Sequence, residues 1–158
     1  MTPDPTSSGD AVEVHATAVA IEGRGVLLRG RSGAGKSDLA LRLVDRGALL
    51  VSDDRVRIER RGDRLYLRPP PAAPAALRHR LEVRGLGIVP LPGIAEAPLA
   101  LVVDLAPGRS LERLPEPQSC RYLGASVPLL TLDPFAASAA AKLRLAAGLL
   151  TGSIIPPP

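Results

Sequence analysis

The segment GRSGAGKS, residues 30–37, constrains the fold of this chain more than any other feature of its sequence. It satisfies the pattern G-x-x-x-x-G-K-[ST] of a phosphate-binding loop, with Lys36 and Ser37 at its end. Such a loop needs a strand before it and a helix after it, because its backbone N–H groups and the helix N-terminus face the same anion. The runs GVLLRG and KSDLALRLVDRG supply both. The sequence therefore predicts an α/β domain.

Each residue type in this loop has a physical role in nucleotide binding. The glycines let the backbone curl around an anion, Lys36 reaches the β and γ phosphate oxygens, and Ser37 can ligate Mg²⁺. Lys36 is one of only two lysines in a chain whose other basic side chains are arginines, so it stands out. The predicted nucleotide-binding residues are Gly30, Arg31, Ser32, Gly33, Ala34, Gly35, Lys36 and Ser37.

The composition excludes several classes of protein. Hydrophobic residues make up 46% of the chain, which predicts a globular core, but aromatic residues make up only 2%, which argues against stacking on single-stranded nucleic acid. The net charge of +4 comes from arginines interleaved with acids, so it favours a compositional bias over a nucleic-acid surface. Cys120 is the only cysteine, which excludes a disulfide framework and a cysteine metal site.

The ends of the chain are polar or proline-rich and contain no targeting signal. The N-terminus lacks the basic and apolar regions of a signal peptide, and the longest apolar runs are too short to span a membrane. We therefore expect a cytoplasmic protein that binds no membrane. The predicted organisation is a flexible leader over residues 1–10, one domain over 11–150 and a flexible tail over 151–158.

Apolar patterning predicts the order of strands and helices within the domain. The helix over KSDLALRLVDRG ends at Gly47, and a closing helix over DPFAASAAAKLRLAAGLL has Asp133 as N-cap and Pro134 at its first position. PPPAAPAAL, residues 69–77, connects two parts of the domain. The predicted strands are VEVHATAVAI, GVLLRG, ALLVSDD, the hairpin RVRIERRGDRLYLR, the first residues of LEVRGLGIVPLPG, LALVVDL and SVPLLTL.

Two adjacent aspartates, Asp53 and Asp54, follow the predicted strand ALLVSDD. The carboxyl ends of parallel strands share one edge of a sheet, so we expect this pair beside the bound phosphates. One carboxylate could lie near Mg²⁺ while the other takes a proton from an attacking hydroxyl. Asp104, at the end of LALVVDL, is a competing candidate, and a solvated strand end is the simpler alternative for the pair. The residues alone do not rank them.

A resemblance to a known family ranks these candidates. His15 precedes the loop in VHATAVAIEGRGVLLRG, the loop continues as GKSDLALRLVDRG, LVSDD follows, and LEVRGLGIVPL comes last. Together these segments, over most of residues 12–92, resemble the HPr kinase/phosphorylases, which act on a serine of the phosphocarrier protein HPr. The resemblance implies a P-loop kinase fold related to phosphoenolpyruvate carboxykinase, with a mixed sheet and flanking helices. It also implies ATP, Mg²⁺, an HPr-like partner, a homo-oligomer and regulation of a phosphotransferase system.

The resemblance also implies roles for individual residues. Asp54 corresponds to the general base, Asp53 supports it, and His15 and Lys36 correspond to active-site positions. Arg113 corresponds to the catalytic arginine, although Arg109 and Arg121 are nearby alternatives. Glu82 corresponds to a second Mg²⁺ contact beside Ser37. The signature loop implied by the resemblance contains Glu82, Arg84, Gly85 and Gly87.

The chain also departs from the family pattern. It resembles the catalytic domain alone, so we expect a short form. The PVRPGRN-type segment that the family associates with the phosphorylase reaction is replaced by DPFAASAAAKL, which leaves the reverse reaction and the usual oligomer contacts open. A small-molecule kinase and a non-catalytic nucleotide-binding sensor stay open as alternatives, because both also need a phosphate loop.

Overall fold

The computed structural model describes residues 10–109 and 113–150. All of the predicted leader except Asp10, and the whole predicted tail (151–158), lie outside the described residues. No helix in these two ranges is long and apolar enough to cross a membrane. The helices are α1 (Lys36–Asp45) and α2 (Ala139–Leu150), with a 3₁₀ turn at Ala75–Leu77. The strands are β1 (Ala11–His15), β2 (Thr17–Ile21), β3 (Arg24–Arg29), β4 (Leu49–Ser52), β5 (Arg55–Arg61), β6 (Arg64–Arg68), β7 (Arg80–Val83), β8 (Gly87–Pro90), β9 (Ala97–Leu105), β10 (Gln118–Tyr122) and β11 (Ala125–Leu132).

Nine of these strands form one sheet, which is mixed, as the family resemblance implied. Its main path runs β1-β5-β6-β9-β3-β2-β4. Strand β9 is parallel to β3 and to β11, and the other pairs in the sheet are antiparallel. The start of β9 pairs with β6 and its end pairs with β11, so two strands share one side of β9. Strand β10 extends the sheet from β11, and β7 and β8 form a separate hairpin.

Two apolar cores lie on opposite faces of this sheet. Helices α1 and α2 pack on one face, where Leu39 and Leu143 meet Leu101 and Val103 of β9. The other face encloses a second cluster that includes Val102 of β9. Alternate residues of a strand point to opposite faces, so β9 is buried on both and reads as the continuous apolar run LALVVDL. Both helices cover the same face, and the loop that follows the end of β3 leads into α1 on that face.

The run VEVHATAVAI forms two strands rather than the single strand predicted. The chain changes partner at Ala16, whose N–H donates to the carbonyl oxygen of Asp54 at 3.2 Å. Before this residue β1 pairs with β5, and after it β2 pairs with β3 and β4. Strand β10 was also missed, because QSCRY carries no apolar alternation and only Cys120 and Tyr122 on it are partly buried.

The two helices differ in how well the sequence predicted their ends. Helix α1 stops where expected, just before Gly47, which has a φ of +103°. The predicted start of α2 was wrong, because the helix begins at Ala139 rather than at Pro134. The Asp133 side chain accepts a hydrogen bond from the backbone N–H of Phe135 at 3.0 Å and closes a turn. Arg42 of α1 donates to the carbonyl oxygen of Pro134, so this turn is held against α1 instead of entering the helix.

Candidate active site

The phosphate loop between β3 and α1 has a tightly closed backbone. A Cβ atom at Gly30 would lie 2.9 Å from the Cβ of Ala34, so only glycine fits there. Gly35 has a φ of +98°, a conformation that other residues rarely adopt, and it leads directly into α1. The amides at the start of α1 have no side-chain cap, which leaves them free to bind an anion.

Lys36 lies across this loop. Its Nζ donates to the carbonyl oxygens of Gly30 at 2.6 Å and of Arg31 at 2.9 Å. These contacts hold the ammonium group at the opening of the loop, where an incoming phosphate meets it. The predicted lysine and the predicted loop therefore form one group whose donors could bind an anion.

Strand β2 lies between β3 and β4 and is antiparallel to both. Strands β3 and β4 therefore run in the same direction, and their carboxyl ends lie at one edge of the sheet. The first residue of β2, Thr17, lies at the same edge. The shared edge that we expected is present, although the two strands that supply it are not neighbours.

Asp53 connects these strand ends through its side chain. Its Oδ1 accepts hydrogen bonds from Thr17 Oγ1 at 2.7 Å and from Ser37 Oγ at 3.2 Å. Thr17 is fully buried, so its hydroxyl holds the Asp53 carboxylate from the interior of the domain. The sequence reasoning missed Thr17, although a single hydroxyl in the otherwise apolar strand TAVAI was an available signal.

Asp54 points away from this cluster. Its side chain is 83% exposed, and its φ is +69°. The Nδ1 atom of His15 lies 3.9 Å from its Oδ1, so the two predicted active-site residues are brought together at the surface. Adjacent aspartates thus occupy different environments, since Asp53 faces the phosphate loop and Asp54 faces solvent.

The polar atoms around Ser37 fit a magnesium ion bound together with nucleotide phosphates. Mg²⁺ usually takes one or two carboxylates and completes its shell with phosphate oxygens and water. The Ser37 hydroxyl and the Asp53 carboxylate provide such oxygens 3.2 Å apart. Glu82 is exposed on β7, and its contact to Mg²⁺ stays a prediction. Within residues 10–109 and 113–150, no group of three His, Cys, Asp or Glu residues forms a metal site of its own.

Asp104, the competing acid, is engaged elsewhere. Its two carboxylate oxygens accept hydrogen bonds from Arg29 at 2.7 and 2.9 Å. The hydrogen bond to Asp104 raises the pKa of the Arg29 guanidinium. The Tyr122 hydroxyl accepts a further hydrogen bond from Arg29 at 2.9 Å, and burial raises the pKa of Tyr122. Asp104 follows Val102 by two residues on β9 and so lies on the face opposite the helices. The geometry favours Asp53, which accepts a hydrogen bond from Ser37, over Asp104 as the acid beside the loop, and Asp54 follows Asp53 directly in the chain.

The segment RLEVRGLGIVP forms the β7–β8 hairpin. Leu81 is buried in the core with α1 and anchors the hairpin on that helix. The predicted signature residues Glu82, Arg84, Gly85 and Gly87 are exposed on the hairpin. Leu86 and Ile88 are 78% and 64% exposed beside them. The sequence predicted a strand followed by a loosened backbone, whereas the two glycines, both at positive φ, allow a hairpin with a second strand.

A cleft of about 410 Å³ opens next to the aspartates. The end of β4 with Asp53 and Asp54 forms one side, and the proline- and alanine-rich segment 69–77 forms an apolar wall. Its charged lining is balanced, with three arginines and three acids: Arg55, Arg78, Arg80, Glu13, Asp53 and Asp54. An acceptor that enters this cleft meets the exposed carboxylate of Asp54.

The structure does not bring the predicted catalytic arginine into this cluster. Arg113 is exposed and follows residues 110–112, which lie outside the described ranges. Arg109 is also exposed, and Arg121 donates to the carbonyl oxygen of Gly124 at 2.7 Å. In the described part of the chain, none of the three hydrogen-bonds or ion-pairs with Asp54.

Comparisons with known proteins give a consistent result. The model of the family "HPr Serine kinase C-terminal domain" matches residues 8–133. HPr kinase/phosphorylases from an Exiguobacterium strain and from Geobacillus kaustophilus are each 38% identical over 130 residues, which cover 75% of this chain and 41% of each relative. The chain thus spans about two fifths of the length of these relatives. A solved structure of the Hpr(Ser) kinase/phosphatase from Coxiella burnetii has the same fold, with a TM-score of 0.70 and 24% identity over 89% of this chain and 88% of that one.

Proposed function

Because the chain belongs to the HPr serine kinase C-terminal domain family, we propose that it is an ATP- and Mg²⁺-dependent kinase that phosphorylates a serine of an HPr-like phosphocarrier protein. Its role would then be regulation of a phosphotransferase system. The observation that carries this proposal is the shared edge of the sheet. There Ser37 of the phosphate loop lies 3.2 Å from Asp53, and the neighbouring Asp54 is exposed to the cleft.

The residues at this edge can divide the work of phosphoryl transfer. Lys36 and the loop amides hold the β and γ phosphates, and Ser37 and Asp53 hold Mg²⁺, which neutralises charge on the phosphate oxygens when bound. The acceptor oxygen attacks the γ phosphorus, the bond to the β–γ bridging oxygen breaks, and ADP leaves. Asp54 takes the proton of the attacking hydroxyl. His15, 3.9 Å from Asp54, is placed to stabilise the orientation of this carboxylate.

A small-molecule kinase is the second candidate, and the cleft favours it. Its volume of about 410 Å³ lies within the range of small-ligand pockets. Arg78 and Arg80 on its wall could bind an anionic group of a metabolite, although Glu13, Asp53 and Asp54 balance the charge of the arginines that line the cleft. The same cleft also suits a loop of a protein acceptor, because its apolar wall is open to solvent on one side.

One experiment separates these functions. The protein is incubated with Mg-ATP and an HPr-like phosphocarrier, and the carrier is analysed for acid-stable phosphoserine. We expect phosphoserine on the carrier, and we expect Asp54→Asn to lower kcat by roughly 10²- to 10⁴-fold while ATP binding is kept. Asp63→Asn, at the exposed turn between β5 and β6, is the matched control and should keep full activity.

Each other outcome contradicts the proposal in a specific way. Phosphorylation of a metabolite but not of the carrier would favour the second candidate. ATP binding without turnover of either acceptor would indicate a nucleotide sensor. Full activity of Asp54→Asn would reject the assignment of the base.

A further inference from the structure

An exposed phenylalanine lies against the phosphate loop. The Phe135 side chain is 59% exposed. A Cβ atom built at Gly35 would lie 3.1 and 3.2 Å from two carbons of the Phe135 ring. The ring is therefore in contact range of the last glycine of the loop, at the entry to α1. It belongs to neither apolar core of the domain, so core packing does not explain its position.

This exposure is unusual for the chain, which has only three aromatic residues. The other two aromatic residues make cation–π contacts with arginines. The Arg61 guanidinium lies 4.4 Å from the ring centre of Tyr66, and the Arg29 guanidinium lies 5.9 Å from the ring centre of Tyr122. Phe135 instead presents more than half of its surface to solvent beside an anion site.

The backbone that carries this ring is fixed in place. Arg42 of α1 donates to the carbonyl oxygen of Pro134, and the Phe135 N–H donates to Asp133 at 3.0 Å. These bonds delay the start of α2 to Ala139, which is fully buried in the helix-side core. The turn therefore places the ring before any ligand arrives, and ordering it on binding costs little.

We propose that Phe135 is the stacking surface for the base of the nucleotide whose phosphates occupy the loop. This inference rests on the proposed function, in which the phosphate donor is a nucleotide. The loop amides enclose phosphates alone, so the sugar and the base must extend out of the loop, and the exposed ring lies at its rim. Loss of such stacking typically weakens binding by about 5- to 150-fold.

Calorimetric binding of two ligands isolates the base. ATP and inorganic tripolyphosphate, each with Mg²⁺, are titrated into wild-type protein and into Phe135→Ala. We expect the substitution to weaken ATP about tenfold and to leave tripolyphosphate within about twofold, because tripolyphosphate has no base to stack. Phe135→Tyr keeps an aromatic face and should restore ATP binding. Leu145→Ala, which removes an exposed side chain from α2, should change neither affinity.

The other outcomes overturn the proposal. Equal weakening of both ligands would mean that Phe135 only shapes the loop, and tighter ATP binding by Phe135→Ala would mean that the ring blocks the site. If wild-type protein binds ATP no better than tripolyphosphate, the base makes no contact and the proposal fails. Failure to phosphorylate the carrier, with ATP binding intact, contradicts only the proposed acceptor.

Discussion

Replacement of Thr17 by valine tests how the Asp53 carboxylate is positioned. The substitution keeps the shape of a fully buried side chain and removes the hydroxyl that donates to Asp53 at 2.7 Å. A hydrogen bond to a charged group contributes about 1.5–3 kcal/mol. The added methyl group returns about 0.8 kcal/mol by its burial. We expect Thr17→Val to lower the free energy of unfolding by about 1 kcal/mol.

A double-mutant cycle separates this contact from other effects of the substitution. Thr17→Val is combined with Asp53→Ala, and the four proteins are unfolded with urea. The coupling free energy should be about 1–2 kcal/mol, or roughly 0.5–1 M in the urea midpoint at a typical slope. The matched cycle with Asp63→Ala, at the distant hairpin turn, should show no coupling beyond about 0.5 kcal/mol. A Thr17–Asp53 coupling that small would refute the reasoning.

The same variant has a consequence for the proposed magnesium site. The Asp53 side chain loses its buried donor and, among the residues that the structure describes, keeps the longer contact of 3.2 Å to Ser37. Loss of a group that orients a metal ligand typically costs 10- to 100-fold in metal affinity. We expect the Mg²⁺ concentration for half-maximal turnover to rise about tenfold in Thr17→Val and to stay near wild type in Thr17→Ser, which keeps the hydroxyl.

Two further predictions concern stability. In Gly25→Ala the new Cβ would lie 2.6 Å from the carbonyl oxygen of Pro98. We expect this contact to lower the free energy of unfolding by about 2 kcal/mol, measured as a fall of roughly 6 °C in Tm. An unchanged Tm would contradict the close packing of Gly25 against Pro98. The hydrogen bond from Arg57, followed by that from Arg61, lowers the pKa of Glu59. The Glu59 carboxylate therefore stabilises the folded protein above the pKa that it has in the unfolded chain, and this stabilisation is lost as the pH falls through the lowered pKa. Glu59→Gln should therefore be less stable than wild type at pH 7, and urea unfolding at successively lower pH should show the difference disappear; a constant difference would contradict it.

The phosphate loop was predictable because its constraints are local. Gly35, Lys36 and Ser37 are adjacent in sequence, and the strand and the helix that flank them carry their own apolar patterns. The same holds for the hairpin of β5 and β6, whose turn lies at Gly62 and Asp63. The mixed sheet followed from the family resemblance, since no single strand shows which neighbours it pairs with.

The remaining features depend on contacts between distant parts of the chain. The two aspartates of LVSDD look alike in sequence, and the positions of Thr17, Ser37 and His15 give them different environments. The delayed start of α2 likewise depends on Arg42, 92 residues before the carbonyl group of Pro134 to which it donates. Local capping rules predicted Asp133 as the N-cap, but the long-range hydrogen bond from Arg42 holds the turn at Pro134 outside the helix.

The position of β9 has a consequence for how the domain folds. His15, the phosphate loop and the two aspartates lie within residues 15–54, which precede β9 in the chain. Strand β3, which leads into the phosphate loop, lies between β2 and β9 in the sheet. Arg29 of β3 and Asp104 of β9, whose side chains are hydrogen-bonded, are 75 residues apart in the chain. Non-local pairing slows folding, because the loop entropy is lost before the contact is gained. Until β9 leaves the ribosome, β3 has an unpaired edge, so the support of the phosphate loop by the sheet waits for a strand that contributes none of the loop's side chains.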